Sequence, residues 1–194
     1  MLAPNVEAFL HALRVRPCCA AVTSQAHFEA ALESSVGIVF VLRADGLEIQ
    51  PLVRRVHDAG KLVAVHLDLV DGIRPDRAGV AWLARAGVDA LISSRGELMA
   101  SVRRERMVAI HRLLLVRANL LGSGIAAVNR SHADIVEILP GVILPDVRSL
   151  LPPMSMPLLA GGFIRSEDEA RAALGAGASG VTTSTRELWD VRFA

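Results

Sequence analysis

The feature of this sequence that most constrains its fold is a regular alternation between short apolar segments and segments of helical character. Eight apolar runs are each followed by a stretch with a helix-capping residue, a helical hydrophobic period or a glycine stop. Strands that alternate with helices in this way pair in parallel, because each helix carries the chain back across the sheet. We therefore predict an α/β protein with eight parallel strands.

Eight such units favour a closed (β/α)8 barrel over an open, doubly wound sheet, although an open sheet would produce a similar pattern. The chain has 194 residues, and since this barrel typically needs about 250 residues, its helices must be short. Hydrophobic residues make up 52% of the sequence and aromatic residues only 4%, as is typical of parallel strands that are covered on both faces. No linker divides the chain, so we predict a compact TIM-type barrel that forms a single domain over residues 1–194.

Charge and cysteine usage restrict the surroundings in which the protein works. The net charge is only +1, so a contact with nucleic acid must come from a local basic patch. Cys18 and Cys19 are adjacent in a predicted strand, where they point to opposite faces and suit a reduced core. No apolar run approaches the roughly 20 residues that span a bilayer, and the N-terminal segment has no leader pattern. We expect a soluble cytoplasmic protein that does not bind membranes.

Two consecutive strand-to-helix turns near the end of the sequence have the composition of an anion site. The predicted seventh strand, 157–160, leads into two glycines, and the predicted eighth strand, 180–183, leads into hydroxyl side chains at 182–185. Glycine lets the backbone approach a ligand, a helix N-terminus carries partial positive charge, and these two barrel loops commonly bind phosphate. The residues that we predict to bind phosphate are Gly161, Gly162, Thr182, Thr183 and Ser184. The alternative for the hydroxyl groups is that they only cap the final helix.

Other predicted strand ends carry polar side chains that a barrel would bring to the same mouth. His66 and Asp68 are two residues apart and lie on one side of the third strand, where His66 is either a ligand contact or a hydrogen-bonded interior histidine. Arg112 on the fifth strand and Glu137 on the sixth lie among apolar residues, where an unpaired charge is costly. The candidate partners of Arg112 are Glu137, Asp68 and a ligand phosphate. With Ser93 at the end of the fourth strand, this set of groups suits a small polyol phosphate.

Enzymes of the barrel class explain only part of this pattern. The segment 66–72 is similar to the metal-binding strand of phosphopentose epimerases, but Ser93 and Ala160 stand at later strand ends where those enzymes need a histidine and an aspartate. A Schiff-base aldolase needs a lysine at the mouth, and the sole lysine, Lys61, begins the third strand at the opposite end. Proton transfer of the isomerase type would fall to Glu137. No residue spacing matches a structural zinc site, so we expect no metal.

Several segments, in the same order along the chain, resemble the glycerol-3-phosphate-responsive antiterminators of bacterial glycerol uptake operons. The segments are 65–73, 91–95, 109–113, 135–141 and 159–164, with 181–184 and 188–189 at the end. The resemblance implies a cytoplasmic regulator, not an enzyme, that binds sn-glycerol 3-phosphate as its effector and needs no cofactor. It further implies binding to the leader of a messenger RNA, so that transcription reads through a terminator of glycerol metabolism genes. A phosphosugar isomerase or epimerase is the alternative function.

The resemblance also suggests how the ligand is divided among the strand ends. The phosphate would be held by backbone N–H groups around Gly161, Gly162, Thr183 and Ser184, beside Thr182, with Arg112 as a charge partner. The glycerol hydroxyls would be contacted by His66, Asp68, Ser93 and Glu137. Ligand binding is then expected to bias a mobile loop or a contact between copies of the chain that forms the RNA surface.

The sequence departs from the family pattern at two places on or near the fifth strand. Arg117 stands where the family has an aspartate, so a group that accepts hydrogen bonds is replaced by one that only donates them. His111 stands where glutamine is expected, which is a milder change.

Basic residues before two strands are the candidates for RNA contact. They are Arg54, Arg55, His57 and Lys61 in one cluster, and Arg103, Arg104 and Arg106 in the other. Both clusters are expected at the end of the barrel away from the ligand mouth. The alternative is that basic residues in a last helical turn only complement the helix dipole. Stacking platforms for bases are expected to be scarce, because the sequence has no tyrosine and its five phenylalanines suit the interior.

Overall fold

Eight barrel strands and eight α-helices alternate along the part of the chain that the computed structural model describes, which is residues 3–115, 121–151, 154 and 156–193. Two further strands of two residues each, Ala44–Asp45 and Val70–Asp71, pair in a separate small sheet. The barrel strands are β1 Cys18–Val22, β2 Ile38–Val41, β3 Leu62–His66, β4 Ala90–Ser93, β5 Val108–Leu114, β6 Ile135–Leu139, β7 Leu158–Gly161 and β8 Gly180–Thr183. The helices are α1 Pro4–Val15, α2 Gln25–Glu33, α3 Ile49–Asp58, α4 Arg77–Arg85, α5 Met99–Arg104, α6 Leu121–Arg130, α7 Leu144–Val147 and α8 Glu167–Gly175. Between α2 and α8 every helix connects two successive strands.

The strands close into a parallel barrel. Each strand pairs with its neighbours in the sequence, and β8 pairs with β1, where Val181 lies opposite Cys18. The predicted compact, TIM-type (β/α)8 barrel is therefore confirmed, and the open sheet that would produce a similar pattern is wrong. The helices are short, as the chain length requires; α7 has only four residues.

The core has two layers because successive side chains of a strand point to opposite faces. One layer lies between the strands and the surrounding helices, and the other fills the barrel interior. Helix α1 contributes Phe9 and Leu13 to the interior layer, so it covers the end of the barrel where the strands begin. The opposite end, where the strands finish, carries the polar side chains.

The paired cysteines behave as the alternation predicts. Cys18 packs in the outer layer and Cys19 in the barrel interior, and both are free thiols. Burial, with a smaller effect of the Asp190 charge, raises the pKa of the Cys18 thiol to about 12. A thiol with so high a pKa is a poor nucleophile at neutral pH.

Helix ends follow the local sequence. Ser166 caps α8 in a reciprocal arrangement with Glu169, which is a capping box. Gly60, Gly87 and Gly177 follow α3, α4 and α8 with positive φ angles of 71°, 89° and 96°. Such turns favour glycine because a Cβ is strained in the left-handed region. No helix of the described ranges is long and apolar enough to cross a membrane.

Candidate ligand site at the barrel mouth

A layer of polar side chains points inward where the strands end. It consists of His66 of β3, Arg112 of β5, Glu137 of β6 and Thr182 of β8. Two positions earlier on three of these strands, Ala64, Ile110 and Ile135 fill the barrel interior. Since the side-chain period of a strand is two residues, the same alternation turns the polar residues inward at the mouth.

Glu137 is the buried anion of this layer. Its side chain is 1% exposed, and its Oε2 accepts a hydrogen bond from Arg112 Nε at 2.7 Å. Its Oε1 accepts one from the hydroxyl of Thr182, also at 2.7 Å. Of the two carboxylates that are candidate partners for Arg112, Glu137 is the one that pairs with it, and it lies opposite Arg112 in the strand register. The ion pair balances two charges that would each be costly alone.

Arg112 keeps donors that none of the described residues uses. Its side chain is 13% exposed, and within the described residues its Nη2 makes no hydrogen bond, whereas Nε and Nη1 contact Glu137 and His66. The guanidinium therefore combines a fixed position with a free N–H group. A fixed, charged donor of this kind suits an anionic oxygen.

His66 links Arg112 to Asp68. Arg112 Nη1 lies 3.3 Å from His66 Nδ1 and 3.5 Å from His66 Nε2, so the guanidinium contacts both nitrogens of the ring. The same Nε2 is 3.6 Å from Asp68 Oδ2. His66 thus takes the role of a hydrogen-bonded interior histidine between a cation and an anion.

Asp68 is engaged by the loop that follows β4. Its carboxylate accepts hydrogen bonds from Ser93 Oγ at 2.6 Å, Ser94 N at 2.8 Å and Ser94 Oγ at 2.7 Å. Burial favours the neutral acid, but hydrogen bonds from His66, Ser93 and Ser94 together outweigh it and hold the pKa of the Asp68 carboxyl below its ordinary value. The structure brings Asp68 and Ser93 together as predicted. Their side chains hydrogen-bond to each other.

A cavity of about 520 Å³ opens at the mouth beside this layer. Its lining includes most of the predicted phosphate residues, namely Arg112, Gly162, Thr182, Thr183 and Ser184, together with Glu137. Thr185, the last of the predicted hydroxyl residues, also lines it, and the lining is completed by residues that were not predicted to bind ligand, namely Ala21, Thr23, Leu42, Leu139, Phe163, Ile164 and Arg165. His66, Asp68 and Ser93 are not part of this lining, so the predicted site divides into a cavity and a supporting network behind Arg112.

Gly161 is important because it has no side chain to fill the space beside Thr182 and Glu137. A Cβ on this residue would lie 2.5 Å from Thr182 Oγ1 and 2.6 Å from Glu137 Oε1. The absence of a side chain therefore permits the hydrogen bond between Thr182 and Glu137. The next residue, Gly162, has a left-handed φ of 83°, which turns the chain toward α8.

The hydroxyl residues after β8 hold the two loops together. Thr183 Oγ1 donates to the carbonyl of Ile164 at 2.7 Å and accepts from Thr185 N at 3.0 Å. The short final turn, Arg186–Leu188, receives no capping hydrogen bond from the Thr185 side chain. The alternative role as a cap for the final helix is therefore not observed, and the hydroxyls instead join the loops after β7 and β8.

Phe163 and Arg165 form an unexpected exposed pair at the rim of the cavity. Phe163 is 64% exposed, has a left-handed φ of 61° and lies 5.5 Å below the Arg165 guanidinium. The expectation that the phenylalanines are internal holds for Phe9, Phe28 and Phe40 but is wrong for Phe163. The only sequence signal is its position directly after two glycines, in a tight turn between a strand and a helix.

The first basic cluster, which consists of Arg54, Arg55, His57 and Lys61, has fewer unpaired exposed charges than its sequence suggests. Lys61 is 9% exposed, and its ammonium donates to the carbonyls of Ser34 at 2.6 Å and Val36 at 2.8 Å. The prediction of Lys61 as a surface contact for RNA is therefore wrong. Arg55 is paired with Glu29, and Arg54 is exposed.

The second basic cluster is exposed at the end of the barrel away from the mouth. Arg103 forms an ion pair with Asp134 at 3.2 Å. Arg104 and Arg106 take part in no ion pair among the residues that the structure describes. Their position agrees with the expectation that basic residues before the strands lie opposite the ligand mouth.

The two departures from the family pattern lie outside the inward layer. His111 is buried on the outer face of β5, its Nδ1 has no partner in the described part of the chain, and burial lowers the pKa of its imidazole. Arg117 falls in 116–120, outside the described residues. Within the described ranges, no group of three or more His, Cys, Asp or Glu residues could hold a metal ion.

Comparisons with known proteins agree with this geometry. The sequence model of a family described as glycerol-3-phosphate responsive antiterminator matches residues 18–189. The uncharacterized protein YgcP of Escherichia coli strain K12 is 30% identical over 183 residues, which are 94% of this chain and 96% of YgcP.

Two crystal structures are similar in both fold and sequence. The glycerol uptake operon antiterminator regulatory protein of Listeria monocytogenes is 29% identical with a TM-score of 0.83, over 89% of this chain and 94% of that protein. A glycerol uptake operon antiterminator-related protein of Thermotoga maritima is 26% identical with a TM-score of 0.80, over 90% of this chain and 98% of that one. The resemblance inferred from the sequence is confirmed: the chain belongs to the glycerol-3-phosphate responsive antiterminator family.

Proposed function

We propose that this chain binds sn-glycerol 3-phosphate in the mouth cavity and, in response, binds a leader RNA in the cytoplasm to favour read-through of a terminator. The observation that carries the proposal is the arrangement around Arg112. A fixed guanidinium, with an N–H group that no described residue accepts, lines a cavity of about 520 Å³ beside the loops after β7 and β8. Membership of the glycerol-3-phosphate responsive antiterminator family, and similarity to the antiterminator regulatory protein of Listeria monocytogenes, support glycerol 3-phosphate and antitermination as the context.

The charge of the cavity suggests where the phosphate lies. Arg112 is already balanced by Glu137, so a phosphate dianion needs further positive potential. Arg165 lines the same cavity and brings a second guanidinium to it. The backbone amides at the start of α8 are already engaged, since Arg165 N and Ser166 N donate to Glu169 Oε2. We assign the phosphate to Arg112 and Arg165, beside Gly162 and Ser184, and the glycerol hydroxyls to the side of Thr182 and Glu137.

Binding without turnover is part of the proposal. The sole lysine of the sequence, Lys61, lies at the strand-start end with its amine held by two carbonyls, so no amine is placed for a Schiff base at the mouth. Both oxygens of Glu137 accept hydrogen bonds from protein groups, one of them from a cation, which makes this carboxylate a poor general base.

A mobility-shift experiment with RNA tests the regulatory function. We expect the affinity for the leader transcript of a glycerol uptake operon to rise when sn-glycerol 3-phosphate is added, and to fall with salt because phosphate contacts release counterions. An RNA affinity that is unchanged by the ligand would reject the regulatory function. Incubation with triose and pentose phosphates separates the alternative, since a phosphosugar isomerase or epimerase would form product and a sensor would not.

The coupling between the two ligands follows from thermodynamics. Glycerol 3-phosphate changes RNA affinity only by binding one state of the chain more tightly than another. The states differ either in a loop at the mouth or in a contact between copies of the chain. Size-exclusion chromatography with and without ligand separates these two forms of coupling.

A further inference from the structure

A second cavity, of about 770 Å³, lies at the end of the barrel where the strands begin. Its walls come from the start of α1, the end of α5 and the turns that precede β5 and β6. The residues that matter for its chemistry are Asn5, Arg103, Arg104, Arg106, His132 and Asp134. We call this cavity the arginine groove.

Two residues that line the arginine groove, Arg106 and His132, have a left-handed backbone conformation that glycine adopts at other turns of the molecule. The turns after α3, α4 and α8 place Gly60, Gly87 and Gly177 in the left-handed region, whereas Arg106 follows α5 with φ 62° and His132 follows α6 with φ 60°. The left-handed region costs free energy for a residue with a Cβ. At these two turns, the fold carries a cationic and a titratable side chain where glycine would be less strained.

The Arg106 turn is otherwise built like a glycine turn. Arg106 N donates to Arg103 O, and Met107 N donates to Val102 O. Gly60 N and the residue after it make the equivalent pair of bonds to the end of α3. The backbone geometry of this turn therefore does not depend on the Arg106 side chain. The arginine must have a role outside the turn.

The charge of the arginine groove is only partly balanced. Asp134 compensates Arg103 at 3.2 Å and also accepts from Ala109 N at 3.0 Å. Arg104 and Arg106 are exposed and lack ion-pair partners among the described residues, and the acidic residue between them is not part of the lining. Asn5 Nδ2 donates to the carbonyl of Arg106 at 2.9 Å, which fixes the turn against α1.

We propose that the arginine groove binds the RNA, with Arg104, Arg106 and His132 on the phosphates and with bases or riboses against the apolar wall formed by Ala3, Pro4 and Ala100. The inference rests on the proposed function, because that function supplies RNA as the partner. Guanidinium groups match phosphate oxygens in geometry and charge. The ligand mouth is less suitable, since the first turn of α8 carries Glu167, Asp168 and Glu169 there. Effector and RNA then occupy opposite ends of the barrel and do not compete for one surface.

The Arg106→Gly substitution tests the groove without disturbing the fold. It introduces the residue that the other turns use, so the thermal midpoint should not fall, and stabilisation by sn-glycerol 3-phosphate should be unchanged. We combine it with Arg104→Ala. The matched control is Arg14→Ala with Arg85→Ala, which removes two exposed last-turn arginines of α1 and α4 that are not part of the groove.

The readout is fluorescence anisotropy with a labelled pool of mixed-sequence, single-stranded RNA about 20 nucleotides long, a size chosen to cover one binding site of a single domain. At saturating glycerol 3-phosphate, we expect the groove variant to lose at least about tenfold in affinity and its salt slope to fall by about two, one for each lost phosphate contact. The control variant should keep the wild-type slope.

The other outcomes overturn the inference in distinguishable ways. If the groove variant binds like wild type, or the control loses as much, the groove is not the RNA site although RNA binding stands. Displacement of the RNA by poly-glutamate at equal charge concentration would show that the groove attracts any polyanion, acidic proteins included. If wild-type protein binds neither this pool nor the leader transcript, the proposed RNA function fails together with the groove.

Discussion

The Arg112–Glu137 pair is the residue-scale feature on which the mouth depends. One carboxylate, 1% exposed, accepts from a guanidinium and from the Thr182 hydroxyl. The pair therefore neutralises a buried charge and holds Arg112 still, while Nη2 stays unused within the described residues. A preorganised donor of this kind binds an anion without first losing side-chain freedom.

Substitution of Arg112 tests which group it balances. Arg112→Met leaves the Glu137 carboxylate buried without its cation, and we expect the free energy of unfolding to fall by about 3–5 kcal/mol. Adding Glu137→Gln removes the buried charge and keeps an oxygen for Thr182, so most of the loss should be recovered. Urea denaturation of wild type and both variants measures this. Absence of recovery would mean that Glu137 is not the main partner of Arg112.

Gly161 offers a second residue-scale prediction. Gly161→Ala places a Cβ 2.5 Å from Thr182 Oγ1 and 2.6 Å from Glu137 Oε1, so we expect a loss of about 1–3 kcal/mol through overpacking. Gly175→Ala is the matched control, because it lies at the end of α8 and its Cβ would meet nothing within 4 Å. The control should gain about 0.5–1 kcal/mol. Equal thermal midpoints for the two variants would argue against the role of Gly161 as a spacer.

Single residues also show that the partners of a side chain cannot be predicted from the sequence. Burial in a strand shows that Arg112 and Glu137 need partners, but the sequence does not give the cross-strand register that pairs them. For Lys61, the sequence shows its position before a strand. It does not show that two carbonyls of another loop hold its ammonium. Both outcomes depend on tertiary geometry that local pattern does not encode.

At the scale of elements, the loop after β4 is fastened to β3 through Asp68. Three hydrogen bonds from Ser93 and Ser94 hold the carboxylate as an anion, and the pKa of Asp68 lies below its ordinary value despite burial. The folded state thus favours the charged form more than the unfolded state does. Stability from this contact is present above the unfolded pKa of about 4 and is lost as pH falls toward the folded one.

Comparison of wild type with Asp68→Asn isolates this contribution. We expect wild type to be more stable at pH 6, and the difference in unfolding free energy to shrink between pH 5 and pH 3, because the Asp68 carboxyl of the unfolded wild-type chain takes up a proton in this range while the folded one stays charged. Other carboxylates titrate in the same range, and taking the difference between the two proteins cancels them. A difference that stays constant across this range would contradict the anchoring role of the charged Asp68.

The strands and helices are the part of the fold that the sequence predicts best. The seventh and eighth strands end in glycines and hydroxyls, so both their positions and their shared edge follow from the pattern of the sequence. Two short strands, Ala44–Asp45 and Val70–Asp71, also pair at the mouth, and they were not predicted because two residues are too few to show a period. The rim pair of Phe163 and Arg165 was missed for a similar reason, since a tight turn leaves no periodic signal.

At the scale of the whole molecule, the barrel has two chemically different ends. All the helices that connect strands run in one direction, so their last turns lie together at the end where the strands begin. Basic last-turn residues collect there, namely Arg55, His57, Arg85, Arg103, Arg104 and Arg130. The opposite end holds the polar layer and the cavity. This separation suits a regulator that binds a small anion at one end and a nucleic acid at the other.

The central claim is that the mouth cavity binds sn-glycerol 3-phosphate through the Arg112 layer. Isothermal titration calorimetry of wild type and of the Arg112→Met/Glu137→Gln variant tests it most directly. We expect saturable binding of one ligand per wild-type chain and no measurable binding by the variant, which remains folded because its buried charge has been removed. Wild-type-like binding by the variant, or no binding by the wild-type protein, would contradict the claim.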